Sequence, residues 1–145
     1  NLRNTEISAV IGIEQLKKLP AMTAMRRKNL DLFQQLFKDD EHFIIQQENG
    51  KSSAFSFPII LNPEKNINRK NIFNALKDEN IGYRIITGGN ILQHDVKRFF
   101  DYQIVGDLKN ANLAHNHGFF VGNHPVDLSE EIRCLSRVLR SAVQV

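Results

Sequence analysis

Apolar residues recur at helical spacing over the opening of the chain. Ile7, Val10, Ile11 and Leu19 fit one face of a helix from Thr5 to about Lys18, and Thr5 or Asn4 stands where a side-chain oxygen caps the first turn. Pro20 lacks an amide proton and predicts an end or a kink at that point. Met22, Met25, Leu32, Phe33, Leu36 and Phe37 then predict a second helix from about Ala21 to Lys38, with these residues as its core stripe. Beyond Asp39-Asp40-Glu41 the period changes. His42 to Ile45 reads as a strand, Gln46 to Ser53 as a polar loop around Asn49-Gly50, and Ala54 to Leu61 as a second strand in which Phe55 and Phe57 flank Ser56. Pro58 places that strand at an edge or a bulge.

A loop over Asn62–Asn68 leads to a helix over about Arg69–Glu79 with Ile72, Phe73 and Leu76 inward. Asn80-Ile81-Gly82 ends it before a strand from Tyr83 to Ile86. The remainder predicts a turn at Thr87-Gly88-Gly89-Asn90, a short helix over Val96–Tyr102, a helix near Leu108–Asn116 and a buried strand over Gly118–Gly122. Ser129 is read as the cap of a last helix, with Glu130 and Glu131 in its first turn and Ile132, Leu135, Val138 and Leu139 on its inner face. This order of elements gives an α+β class, a small and largely antiparallel sheet covered by helices on one face. No repeat, low-complexity tract or linker divides it, so 1–145 reads as a single domain.

Composition narrows the function classes. The 145 residues are 41% hydrophobic and 24% charged, the balance of a globular domain. No apolar run reaches the ~20 residues of a membrane span, so no membrane partner is expected. The net charge of +3 is spread along the chain, and the densest basic run, Arg26-Arg27-Lys28, falls on a helical stretch as a solvated face. Nucleic acid is therefore not an expected partner. Cys134 is the single cysteine, which excludes an internal disulfide and fits a reducing, cytoplasmic setting.

Three of the five histidines, His115, His117 and His124, lie close together. They lack the companion ligands of a closed zinc site, so no metal is expected, and loop polarity or substrate contact is the better reading. Gly88-Gly89-Asn90 is neither a dinucleotide fingerprint nor a P-loop. It is either a tight turn or a backbone that approaches a ligand closely. Arg84, just upstream, is either a solvated strand residue or a forked cation for a phosphate.

One stretch carries more than its composition. From Asn1 through Leu16 the chain resembles, without a gap, the Asn-x-Arg-x-(Thr/Ser)-(Glu/Asp)-(Ile/Leu)-x-Ala-x-x-Gly-x-x-Gln-Leu stretch of the DegT/DnrJ/EryC1/StrS sugar aminotransferases, enzymes that use pyridoxal or pyridoxamine phosphate. Gly89-Asn90-Ile91-Leu92 and Gly118-Phe119-Phe120-Val121-Gly122-Asn123 are similar to segments of the branch that removes the 3-hydroxyl of 4-keto-6-deoxy sugars. The Pro-Leu-His motif usual in the aminating branch is missing, and Gln93-His94-Asp95 replaces the Arg-Gln-Pro that dehydrating relatives tend to have.

The resemblance implies the small C-terminal domain of a fold-type I pyridoxal-phosphate enzyme, with the large cofactor-binding domain and the catalytic base upstream. No catalytic residue is then expected here, and the chain alone should be inert. Asn1 would reach the cofactor phosphate of the neighbouring subunit in a homodimer. Arg3, Arg84, Asn90, His94, His117 and Phe120 would face the nucleotide-sugar substrate. The implied reaction is 3-dehydration in deoxysugar or lipopolysaccharide synthesis. Transamination of such a sugar is the near rival, and a non-catalytic binding or dimerisation module the distant one.

Overall fold

A computed structural model describes residues 3–86 and 88–144. Its first helix, α1, runs unbroken from Glu6–Phe37, about 48 Å at 1.5 Å per residue. Thr5 caps it, its hydroxyl oxygen accepting from the Ser8 amide at 3.3 Å. The end or kink predicted at Pro20 is therefore overturned. Proline removes one bond, that to the Leu16 carbonyl, and Leu16 and Pro20 are both exposed, so water can satisfy the orphaned oxygen. The flanking Lys, Leu, Ala and Met residues are good helix formers and carry the helix through.

Four strands follow in the spatial order β1 (Phe43–Ile45), β2 (Ser56–Leu61), β4 (Gly118–Gly122), β3 (Tyr83–Ile85), all neighbours antiparallel. α2 (Arg69–Asp78) precedes β3, α3 (Lys109–His117) runs directly into β4, and α4 (Ser129–Ala142) closes the fold. The α+β class with a small antiparallel sheet is as expected. Pro58, expected at an edge or bulge, lies on the interior strand β2. The pairing with β1 stops at Ile59, however, so at Pro58 the strand has a partner on the β4 side only. The missing amide costs no ladder bond where no neighbour exists.

Alternation sets the two sheet faces. Phe57, Ile59 and Leu61 of β2, Phe119 and Val121 of β4 and Phe43 of β1 are buried and in mutual register, and they meet the helices. Phe33 of α1 stacks on Phe57 with ring centres 4.6 Å apart and touches Phe37 at 4.7 Å, while Phe73 of α2 stacks on Tyr83 of β3 at 4.4 Å. Ile132, Leu135 and Leu139 complete the core from α4. Each such side chain contributes roughly 1.5–3 kcal/mol by leaving water.

Two further expectations are corrected. The helix predicted over Val96–Tyr102 is a 3-10 turn over Asp95–Phe99, followed by extended backbone at Phe100. Val96, Phe99, Phe100 and Tyr102 all stay exposed, so no buried face rewards a longer helix. At α4 the N-cap position is Leu128, without a side-chain cap; Asp127, one residue earlier, accepts from the Ser129 amide at 3.0 Å, and Ser129 is the first helical residue. Lys28 and Ser129 hold the Asp127 carboxyl well below the usual carboxylate range.

A buried polar pair ties α1 to the turn before α4. Asn29 donates to Asn123 Oδ1 at 3.1 Å and to the Val126 carbonyl at 2.8 Å, and accepts from the Leu128 amide. Asn123 donates to the carbonyls of Arg26 and Ala54.

Candidate functional site

The sheet face away from the helices carries a row that crosses three strands. Arg84 of β3 lies opposite Phe120 of β4, and Phe120 lies opposite Pro58 of β2. Side chains opposite one another in an antiparallel pair are neighbours on one face. Phe55 meets Phe120 edge to face with ring centres 6.3 Å apart. The row thus presents an exposed cation on the outer strand, an aromatic surface beside it and an apolar floor. A guanidinium suits a phosphate, and a ring suits the apolar side of a sugar or a base.

The segment after β3 turns on Gly89, whose φ is +38°. A Cβ there would stand 2.5 Å from His115 Nδ1 and 2.9 Å from the His115 Cβ, so both backbone angle and space demand glycine. Asn90 follows and is buried. Its Oδ1 accepts from the Leu92 amide at 2.9 Å, capping a 3-10 turn over Ile91–Gln93. Its Nδ2 donates to Asn112 Oδ1 at 2.7 Å, and its backbone amide donates to His115 Nδ1 at 3.3 Å. Gln93 donates to the same Asn112 oxygen at 2.7 Å, and the His94 ring meets the His115 ring edge to face at 5.2 Å.

α3 is anchored in turn by Arg69 at the start of α2. The guanidinium donates to the carbonyls of His115 at 3.4 Å, Asn116 at 3.0 Å and Gly118 at 2.8 Å, and lies over the Phe73 ring. These contacts satisfy carbonyls that the end of a helix leaves open. Burial lowers the Arg69 pKa, with the Tyr83 charge opposing that change, and the group remains cationic at neutral pH.

The predicted residues thus fall into groups. Arg84 and Phe120 are brought together on the open face. Asn90 and His94 are brought together against α3. Asn90 directs its amide inward, so what it offers a ligand is the shape of its loop. His117, half-buried, ends α3, and Arg3 stands exposed at the head of α1 on a different element. Asn1 lies outside the described residues. Among the described residues no three potential metal ligands cluster, and no helix is long and apolar enough to cross a membrane.

The sequence does not single out Asn112 or Arg69, and it marks His115 only as one of three neighbouring histidines suited to loop polarity or substrate contact. The i, i+3 spacing of Asn112 and His115 puts both on one face of α3, and that was the available clue. Nothing local marks Arg69.

Comparison with known proteins adds a frame to this geometry. The sequence profile of the DegT/DnrJ/EryC1/StrS aminotransferase family matches residues 1–137. GDP-4-keto-6-deoxy-D-mannose 3-dehydratase of Yersinia pseudotuberculosis is 45% identical over 141 residues, covering 97% of this chain and 36% of the relative. The solved E. coli GDP-4-keto-6-deoxy-D-mannose-3-dehydratase with bound hydrated PLP superposes with a TM-score of 0.89 at 42% identity, over 96% of this chain and 36% of that one. A structure of a variant GDP-4-keto-6-deoxymannose-3-dehydratase with bound GDP-perosamine gives the same TM-score and identity over the same shares of the two chains. This chain therefore spans about a third of the length of the relatives it matches.

Proposed function

Because the chain belongs to the DegT/DnrJ/EryC1/StrS aminotransferase family, we propose that it is the small domain of a vitamin-B6 enzyme that removes the 3-hydroxyl of a nucleotide-linked 4-keto-6-deoxyhexose. GDP-4-keto-6-deoxymannose is the first substrate to try. The observation that carries this reading is the 45% identity to a 3-dehydratase over 97% of the chain. The proposed setting is cytoplasmic deoxysugar synthesis of the lipopolysaccharide type, in a homodimer whose large domain lies upstream.

In this reading Arg84 binds the diphosphate and Phe120 gives the sugar or base an apolar surface. The loop held by Asn90 closes one side of the site, with His94 and His117 as polar contacts. At the head of α1, Arg3 and the first-turn amides of Glu6 and Ile7, which no helical acceptor can reach, make a donor set that fits a phosphate. Glu6 is the one acidic group in that turn. Asn1 and Arg3 would serve a site shared with the second subunit. The cofactor, pyridoxal or pyridoxamine phosphate, supplies the electron sink. This chain supplies binding and orientation, and the group that moves the proton lies outside it.

The test is the product made by the whole protein from GDP-4-keto-6-deoxymannose, with pyridoxal phosphate and an amino donor. Loss of the C3 oxygen, with the 4-keto group retained, is the expected outcome. An amine at C4 with the 3-hydroxyl intact would identify an aminotransferase instead. No turnover of any nucleotide-linked keto sugar would leave the binding-module reading.

A further inference from the structure

We propose that His115 is a positioning residue, which holds the loop over Gly88–His94 in its substrate-facing shape through a hydrogen bond accepted at Nδ1. The inference rests on the reading above in one respect, that this loop faces the substrate. Three observations carry it.

The Asn90 amide donates to His115 Nδ1 at 3.3 Å, so the neutral ring carries its proton on Nε2 and uses Nδ1 as an acceptor. The space beside Gly89 is filled by the same ring, which leaves the loop one way to lie against α3. Asn112, three residues earlier on the helix, receives both the Asn90 and the Gln93 side-chain amides.

The loop thus rests on two acceptors of one helical face rather than on a sheet ladder. That face is itself fixed by the three carbonyl contacts of Arg69. The chain of support runs from α2 through Arg69 to α3, and from α3 through His115 and Asn112 to the loop. A loop held in its bound shape before substrate arrives avoids the ordering cost of binding. His115 therefore acts on affinity, through the loop, and not on the proton transfer.

The test uses the whole enzyme and two variants. His115→Leu keeps bulk and removes the acceptor. His115→Asn places a carbonyl oxygen near the position of Nδ1 and so restores an acceptor. Hydrogen exchange is read on the peptide covering 88–94, with the β2 and β4 peptides as the check on global folding.

In His115→Leu the loop peptide should exchange about tenfold faster while the strands do not change. KM for the nucleotide sugar should rise about tenfold with kcat within about twofold, the scale of one lost hydrogen bond. His115→Asn should return both readouts most of the way. Unchanged loop exchange in His115→Leu, or no recovery in His115→Asn, would overturn the clamp. Faster loop exchange with KM unchanged would leave the clamp standing and overturn its link to substrate, whatever product the enzyme makes.

Discussion

The two halves of α1 belong to one helix and behave as two. Between Glu6 and Pro20, Ile7, Val10, Ile11, Ile13, Leu16 and Leu19 are all at least half exposed, Ile7 at 75%. Between Ala21 and Phe37, Leu30, Phe33 and Phe37 are buried on one narrow stripe beside Asn29. At 100° per residue the six apolar residues of the first half point to all sides, whereas Leu30, Phe33 and Phe37 fall within about 60°. A helix that is apolar on one stripe needs one neighbour; a helix that is apolar all round needs to be surrounded. The second half has its neighbour in this domain. The proposed large domain and second subunit would surround the first. Ile91, Phe99, Phe100, Ile104 and Val105 are exposed as well.

The contrast can be broken most severely in the second half. Phe33→Ala removes a ring stacked on Phe57 and should cost about 3–5 kcal/mol in urea unfolding, with α1 detaching from the sheet. Asn29→Leu, at similar volume, strips the buried Asn123 oxygen, Val126 carbonyl and Leu128 amide of their partner. It should cost on the order of 3 kcal/mol in the same measurement, as unsatisfied buried groups do.

A smaller and pH-dependent effect sits where α1 ends. Arg140 of α4 donates to the Leu36 carbonyl and to Asp40 Oδ2 at 2.9 Å, and His42 donates to Asp40 Oδ1 through its amide. Burial alone would raise the Asp40 pKa, but the hydrogen bonds from Arg140 and His42 and the Arg140 charge outweigh it and hold the carboxyl below its ordinary 3.8. Its folded value is thus below its unfolded one. The stabilisation is present above the unfolded value and is lost as the pH falls through the folded value. Acidification below about pH 4 should therefore lower the urea midpoint of the native chain more than that of Asp40→Asn. Equal acid sensitivity in the two would show that the ion pair contributes nothing.

The smallest effect belongs to the first half. Ile11→Ala in the 145-residue chain should change stability by less than about 0.5 kcal/mol, because an exposed side chain has little to lose. The same substitution in the whole enzyme should cost about 2–4 kcal/mol, as burial there requires. A large cost in the isolated chain would erase the contrast.

The sequence made the periodic parts readable and left the long-range parts hidden. The apolar run around Phe57 announced β2, although Phe55, read as its alternating partner, lies outside the strand and is exposed; the spacing of Ile132, Leu135 and Leu139 announced α4, because each pattern is local. The unbroken passage through Pro20 was not readable, since it depends on Leu16 being hydrated. The place of Pro58 was half readable: the strand was right, and the interior position depended on where β1 stops. The resemblance of residues 1–16 foresaw the family, and the strand register sets Arg84 opposite Phe120. The inward turn of Asn90 could not be seen, because its partners Asn112 and His115 are distant in sequence and their sites are fixed by Arg69, farther still.

The most direct test of the account is hydrogen exchange over residues 6–20, compared between the 145-residue chain and the whole enzyme under one set of conditions. Residues 6–20 should exchange rapidly in the isolated chain and be strongly protected in the whole enzyme, with residues 29–37 protected in both. Rapid exchange of residues 6–20 in the whole enzyme would contradict the account.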